Sequence, residues 1–237
     1  VGTPYVDKLD PWSSHAEIRR LLADSSPGAR ILDVGAATGT LGRLCAGAGF
    51  VLDGLEVDRD SAAIARPFYD HFFCGTLAEA PDELLRGHDV IVLADLLEHL
   101  ADPAAALRRL LGLQPAGCRV LVSLPNVANL WVRLQLLLGR FDYAERGILD
   151  RTHLRFFTRR TLLALLRGAG LEVRRLAVTP IPLDQVHRLF AATRAGRLAH
   201  GALAAATRAW PTLLGYQFVA LAVKPAAGSA STDGGRD

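Results

Sequence analysis

Between residues 30 and 124 the chain alternates short apolar runs with stretches of helical period. The runs are Arg30–Val34, Phe50–Val57, a weaker His71–Cys74, Asp89–Ala94 and Arg119–Leu124. Between them, apolar residues recur at helical spacing around Leu41–Ala48, Arg59–Phe68, Pro81–Arg86 and Pro103–Leu113. Strands alternating with helices predict a parallel sheet covered on both faces, joined by right-handed crossovers. An earlier helix carries Ile18, Leu21 and Leu22 as its apolar stripe, with Ser13 or Ser14 as its N-cap. Asp102-Pro103 opens one later helix, and Thr158 opens another that stops at Gly168 and Gly170.

Two more strands follow, Leu171–Val178 and Phe218–Val223, separated by an Ala-, Leu- and Arg-rich insertion from about Leu183 to Leu214 that predicts two helices. From Pro225 the composition is that of a disordered tail. The expected architecture is α/β: a Rossmann-like three-layer sandwich around a mostly parallel seven-stranded sheet with its last strand antiparallel, plus lid helices. It forms one domain over residues 1–224, with lid segments about 1–28 and 126–158.

Length and charge narrow this picture only a little. The 237 residues suit one sizeable domain, 50% are hydrophobic and 22% charged, and a net charge of +3 falls short of a nucleic-acid footprint. Cys45, Cys74 and Cys118 are dispersed and odd in number, and read as reduced, buried residues with no disulfide or zinc site implied. No window is apolar and long enough to span a membrane, and the N-terminal residues show no secretion signal, so the expected compartment is the cytoplasm. The sequence has no methionine and begins at Val1, which leaves open whether the natural start is present.

The chemistry concentrates in ILDVGAATGTLG, residues 31–42, where a strand runs into a glycine-spaced turn and a helix start. Gly35 and Gly39 permit positive φ and close backbone approach to a ligand. Glu56 closes the next strand, where a carboxylate can accept hydrogen bonds from the two hydroxyls of a ribose. The spacing Gly35, Gly39, Gly42 differs from the G-x-G-x-x-G of nicotinamide-dinucleotide sites, and Asp33 precedes the first glycine by two residues.

These residues resemble motif I of class I S-adenosylmethionine-dependent methyltransferases, D-x-G-x-x-x-G, with Asp33, Gly35 and Gly39 in place and Ala37 where that family often has glycine. Glu56 matches the family's ribose-binding acid and Asp95 its fourth strand end. Segments SSHA, ADLLEHL, SLPNVAN and GILDRTHLRFFT resemble a bacterial branch that acts on small molecules and glycans. The resemblance implies S-adenosylmethionine as cofactor. Gly35, Ala36 and Gly39 would hold its methionine end, Glu56 and Val57 the ribose, and Gly75, Thr76 and Leu77 the adenine. Ala94 and Asp95 would border the methyl group, and Ser14 and His15 would belong to a closing lid. For His15 an ordinary surface position stays equally open.

Methyl transfer to a hydroxyl needs a group that takes the acceptor's proton, and histidine suits that work. His99, just past the fourth strand, and His153, in the LDRTHLRFF segment, are the candidates, with Asp95 beside them. His71, His88, His187 and His200 read as surface or structurally satisfied residues. The run D-x-x-E-H also resembles the metal site of small-RNA 2′-O-methyltransferases and a run in ubiquinone-pathway O-methyltransferases. The alternative to a metal-free site is therefore a divalent cation on Asp95, Glu98, His99 and His153. Leu130, Leu134, Leu137 and Leu138, with Trp131 and Phe141, form a stripe that would wall an acceptor pocket, pack, or meet a second subunit. If Arg151 or Arg155 faces that pocket, the acceptor is anionic. The resulting expectation is O-methylation of a small-molecule, sugar or specialised-metabolite hydroxyl with histidine-base or metal assistance, with N-methylation of a small-molecule amine or metal-dependent 2′-O-methylation as alternatives, nucleic acid disfavoured and a homodimer open.

Overall fold

A computed structural model describes residues 11–183 and 193–226. Seven strands, β1 (Arg30–Val34), β2 (Val51–Glu56), β3 (His71–Cys74), β4 (Val90–Ala94), β5 (Arg119–Pro125), β6 (Glu172–Thr179) and β7 (Gln217–Val223), form one sheet in the order β3-β2-β1-β4-β5-β7-β6. β7 runs antiparallel to both its neighbours, and the pairs among β1 to β5 are all parallel. The predicted Rossmann-like sheet with an antiparallel last strand is therefore the observed one. The strand order turns back between β1 and β4, and such a switch point opens a crevice at the carboxyl ends of the two strands.

Side-chain alternation explains why the central strands read as continuous apolar runs. Ile31, Val90, Val92 and Leu121 face one apolar cluster, while Leu32, Val34, Ile91, Leu93, Val120 and Val122 face the other. On the first face lie α1 (Ser14–Leu22) and α2 (Thr40–Cys45), through Ile18, Leu21, Leu22 and Leu41. Then come α3 (Arg59–Ala65) and a 3₁₀ turn over Arg66–Phe68. The second face carries α4 (Asp82–Leu85), α5 (Pro103–Gly112) and, after α6 (Leu130–Leu137), α7 (Arg159–Gly168), through Leu85, Leu107, Leu110, Leu162 and Leu166.

The caps follow the sequence signals. Ser13, rather than Ser14, caps α1 by accepting the Ala16 N–H, Asp102 accepts that of Ala105, and Thr158 with Thr161 forms a capping box. The described part of the insertion holds α8 (Arg194–Ala209) and α9 (Pro211–Leu214). Residues 1–10 of the first lid segment, 184–192 of the insertion, which include His187, and 227–237 of the tail lie outside the described residues.

One expectation narrows and another needs correction. Of the roles open to the leucine stripe of α6, exposure removes packing into the core. Leu130, Leu134, Leu137 and Leu138 are exposed among the described residues, and the helix buries Val132. Cys74 is half-buried, unlike Cys45 and Cys118, although all three are free thiols. No helix among the described residues is long and apolar enough to cross a membrane.

Gly54, in the middle of β2, shows how tightly the first face closes. A β-carbon there would fall 2.6 Å from Phe72 Cδ2 and 2.8 Å from Tyr69 Cδ1. Overpacking of this kind costs about 1–3 kcal/mol. Gly54→Ala should therefore lower the urea midpoint without changing the slope of the transition, and an unchanged midpoint would show that the two rings step aside freely.

Candidate active site

The mouth of β1 is shaped by backbone geometry. Gly35 (φ 79°) and Gly39 (φ 83°) both adopt the left-handed conformation, and Gly39 stands at the N-cap of α2. The N–H groups of Gly35 and Ala36 both donate to the Leu55 carbonyl, which ties the turn to the end of β2. Among the described residues, Ala37 (φ 47°) and Asp95 (φ 52°) are the non-glycine residues with positive φ. They stand at the ends of the adjacent strands β1 and β4. Such conformations cost about 1–3 kcal/mol each and gather where binding or catalysis demands them.

Glu56 is fixed at the end of β2 by two backbone amides. Its Oε2 accepts the Ala37 N–H at 2.8 Å and its Oε1 accepts the Asp58 N–H at 2.9 Å. An ionised carboxylate offers about four lone-pair directions, so each oxygen can accept a further hydrogen bond. The same contact explains why Ala37 tolerates its strained φ, since the carboxylate holds that amide in place. Val57 is exposed beside Glu56. Gly75 follows β3 and donates its N–H to the Glu56 carbonyl, and a β-carbon there would lie 2.6 Å from Phe73 Cε1. Thr76 starts a turn closed by Glu79, and Leu77 packs against the core. The residues expected around a nucleoside thus line consecutive strand ends.

Asp33 is buried beneath the turn, 2% exposed, and accepts a 2.5 Å hydrogen bond from the Tyr69 hydroxyl. Ser14 and His15 are both buried in the first turn of α1, which removes the surface reading of His15. The Ser14 Oγ has no hydrogen-bond partner among the described residues.

At the end of β4, Ala94 pairs with Ser123 of β5. The next residue, Asp95, is anchored from three sides: its N–H donates to the Ser123 carbonyl and Oγ, while Ser123 Oγ and Gln217 Nε2 both donate to its Oδ1. A 3₁₀ turn over Leu97–His99 then presents Glu98 and His99. The loop after α6 returns over this turn because the Glu98 carbonyl accepts the N–H groups of Leu154 and Arg155. That clip sets His153 against His99 with ring centroids 4.9 Å apart.

Both imidazoles are oriented by carbonyls. Thr152 O faces His99 Nδ1 at 3.2 Å and Ile148 O faces His153 Nδ1 at 3.1 Å. A carbonyl only accepts, so each Nδ1 carries its hydrogen and Nε2 is left as the lone-pair nitrogen of each ring. Burial holds the His153 pKa below the ordinary imidazole value, and neighbouring His99 lowers it further, against the hydrogen bond to Ile148. One donor atom each from Glu98, His99 and His153 lie within 4.8 Å of one another. Asp95, the fourth residue expected there, is not part of that group, and its Oδ1 accepts from Ser123 and Gln217.

Neither arginine proposed for an anionic acceptor is held toward these histidines. Arg151 pairs with Glu145 on the surface, and Arg155 donates to the Ala101 carbonyl. His71 and His88 are structural, as expected. With Arg30 they surround the buried Asp53 at the opposite end of the strands. Burial opposes the Asp53 charge, but these three hydrogen bonds outweigh it and hold its pKa at about 2. His200 is buried on α8.

Four supporting residues escape a reading of the sequence. Tyr69 holds Asp33, Ser123 and Gln217 hold Asp95, and Thr152 orients His99 while its own N–H and hydroxyl donate to Asp150. Each acts on a partner 28 or more residues away, so no local motif marks the pairing; Thr152 alone is hinted at by its place beside His153.

The model of a methyltransferase domain family matches residues 13–176. The ubiquinone biosynthesis O-methyltransferase of Aeromonas salmonicida is 29% identical over 175 residues, which cover 68% of this chain and 71% of that protein. The enzyme of the same name from Thiobacillus denitrificans is 30% identical over 179 residues, covering 70% and 75%. Among solved structures, a SAM-dependent methyltransferase from Archaeoglobus fulgidus has the same fold with a TM-score of 0.60 at 17% identity, covering 89% of this chain and 92% of that one. The magnesium protoporphyrin IX methyltransferase of Synechocystis with bound SAH also scores 0.60, at 16% identity, over 94% and 90% of the two chains.

Proposed function

The chain belongs to the class I S-adenosylmethionine-dependent methyltransferases, and on that premise we propose that it methylates a hydroxyl of a small-molecule, sugar or specialised-metabolite acceptor received by His99 and His153. The observation that carries this reading is the pair of imidazoles past β4, each with Nδ1 bound to a carbonyl and Nε2 left to accept a proton. The O-methyltransferase relatives, about 30% identical, support oxygen as the methylated atom.

The bound sulfonium supplies an already activated methyl group. The protein's work is to align the acceptor oxygen with that methyl at about 3–3.5 Å, exclude water and take one proton. In this reading Gly35, Ala36 and Gly39 seat the methionine end over Asp33, Glu56 fixes the ribose beside Val57, and Gly75, Thr76 and Leu77 border the adenine. Ala94 and Asp95 form the floor beneath the reacting atoms. Because Ser123 and Gln217 pin Asp95, it acts as a positioning residue and leaves the proton to His99 or His153. Ser14 and His15 close the pocket from α1. Beyond His153, the rings of Phe156, Phe141 and Tyr143 follow at centroid spacings of 6.2, 5.4 and 5.8 Å and offer an apolar wall for the acceptor.

The clustering of Glu98, His99 and His153 favours one second reading, in which these three residues hold Mg²⁺, Mn²⁺ or Zn²⁺. Such an ion would bind the acceptor oxygen and lower its pKa. Chelation decides between the two. If the histidines act alone, activity should survive EDTA followed by dialysis. Loss of activity, restored by Mg²⁺, Mn²⁺ or Zn²⁺, would assign the three residues to a metal.

A further inference from the structure

Tyr69 stands where three elements of the cofactor side meet. Its hydroxyl donates to Asp33 at the end of β1 and accepts the N–H of Gly42 in α2 at 3.3 Å, while its backbone follows the 3₁₀ turn that leads into β3. Its ring lies in a slot cleared by two glycines. A β-carbon at Gly42 would fall 3.0 Å from Tyr69 Cε2, and one at Gly54 would fall 2.8 Å from Tyr69 Cδ1. Phenylalanine would fill that slot equally well, so packing alone does not account for the hydroxyl. What the hydroxyl adds is a hydrogen bond to a carboxyl group buried under the glycine turn.

We propose that Tyr69 is a positioning residue for cofactor capture, holding Asp33 beneath the glycine turn, and that the charge on Asp33 makes cofactor binding depend on pH. The inference rests on the reading that Asp33 faces the methionine end of the cofactor, and it adds a residue and a titration to that reading.

The groups facing Asp33 define the titration. Burial pushes its pKa up, the Tyr69 hydrogen bond pulls it down, and Glu56 from the end of β2 raises it again, with the balance at about 7. From α2 the Cys45 thiol faces Asp33, and Arg19 of α1 acts on that thiol. S-adenosylmethionine carries a sulfonium and an ammonium, so it favours the ionised carboxylate. Affinity therefore rises with pH up to the pKa of Asp33 and levels off above it. Below that pKa, binding releases a proton. Removing the Tyr69 hydroxyl removes a hydrogen bond to the charged form, so the rise moves to higher pH.

Titration calorimetry between pH 5.5 and 8 with two nucleosides tests this. S-adenosylhomocysteine carries the ammonium, and 5′-methylthioadenosine lacks the amino acid end. For the wild type, affinity for S-adenosylhomocysteine should climb about tenfold between pH 6 and 8, while that for 5′-methylthioadenosine stays level. In Tyr69→Phe the climb should shift upward by about one pH unit, leaving binding about tenfold weaker at pH 6 and within about threefold of wild type at pH 8. Asp33→Asn should give weak binding with a flat profile. An equal loss at every pH in Tyr69→Phe would make the tyrosine a packing strut only. A level wild-type profile would equally overturn the inference. Failure of the wild type to bind either nucleoside would remove the site itself.

Discussion

Glu56→Ala should weaken S-adenosylmethionine binding by a hundredfold or more while the protein still folds. Two ribose hydroxyls lose a charged acceptor, and hydrogen bonds to charged groups contribute about 1.5–3 kcal/mol each, so the combined loss is about 3–6 kcal/mol. Since about 1.4 kcal/mol is a factor of ten, affinity should fall by about 10²–10⁴. The change also frees the amides of Ala37 and Asp58, which the carboxylate holds in the structure. Ala37 keeps its strained φ only with that support, so part of the loss comes from a relaxed turn. Glu56→Gln is nearly isosteric but sets an NH₂ against one of those two N–H groups, and should fall close to alanine. Calorimetry reads the affinity, and the denaturation midpoint shows whether the fold survives. An affinity within threefold of wild type in both variants would mean that the ribose lies elsewhere.

Alanine at His99 or His153 should act on turnover instead. General-base assistance contributes about 10²–10⁴-fold, so one of the two variants should lose at least a hundredfold in kcat while binding S-adenosylmethionine as the wild type does. His153 is the stronger candidate for the proton. Burial holds its imidazole below the ordinary pKa, so its Nε2 lone pair is available at neutral pH. His99→Ala also removes the ring that packs against His153 at 4.9 Å, so its effect includes some loss of orientation. The readout is single-turnover methylation of an identified acceptor. If both variants lose no more than about threefold, the acceptor is better described as an amine, which attacks through its own lone pair and needs no base.

These expectations also show which parts of the molecule its sequence discloses. The central strands were legible because each is apolar on both faces, as Ile31 and Leu32 of β1 and Val90 and Ile91 of β4 illustrate by packing into opposite clusters. The caps at Asp102 and Thr158 were legible because their chemistry is local. The glycine turn and Glu56 stood at strand ends that the alternation had already located. By contrast, nothing local marks Ala37 for a left-handed φ, a conformation that alanine resists, and only the Glu56 contact accounts for it.

Long-range contacts hid the rest. Tyr69 meets Asp33 across 36 residues, and Thr152 meets His99 across 53. Arg151 and Arg155 looked like acceptor ligands because they flank His153, but one pairs with Glu145 and the other clips the loop to Ala101. Asn126 and Asn129, buried in the SLPNVAN segment, donate to the carbonyl of Gly215 and join the end of β5 to the approach to β7. The α6 leucines show the converse case. Their helical spacing leaves a pocket wall, core packing and a subunit contact open, and only their exposure removes core packing.

The most direct test is a crystal structure of the complex with S-adenosylhomocysteine. Both ribose hydroxyls should lie within hydrogen-bond distance of the Glu56 carboxylate, with the sulfur opening toward the space between Asp95, His99 and His153. A nucleoside seated away from Glu56, or a sulfur turned from the two imidazoles, would contradict this placement.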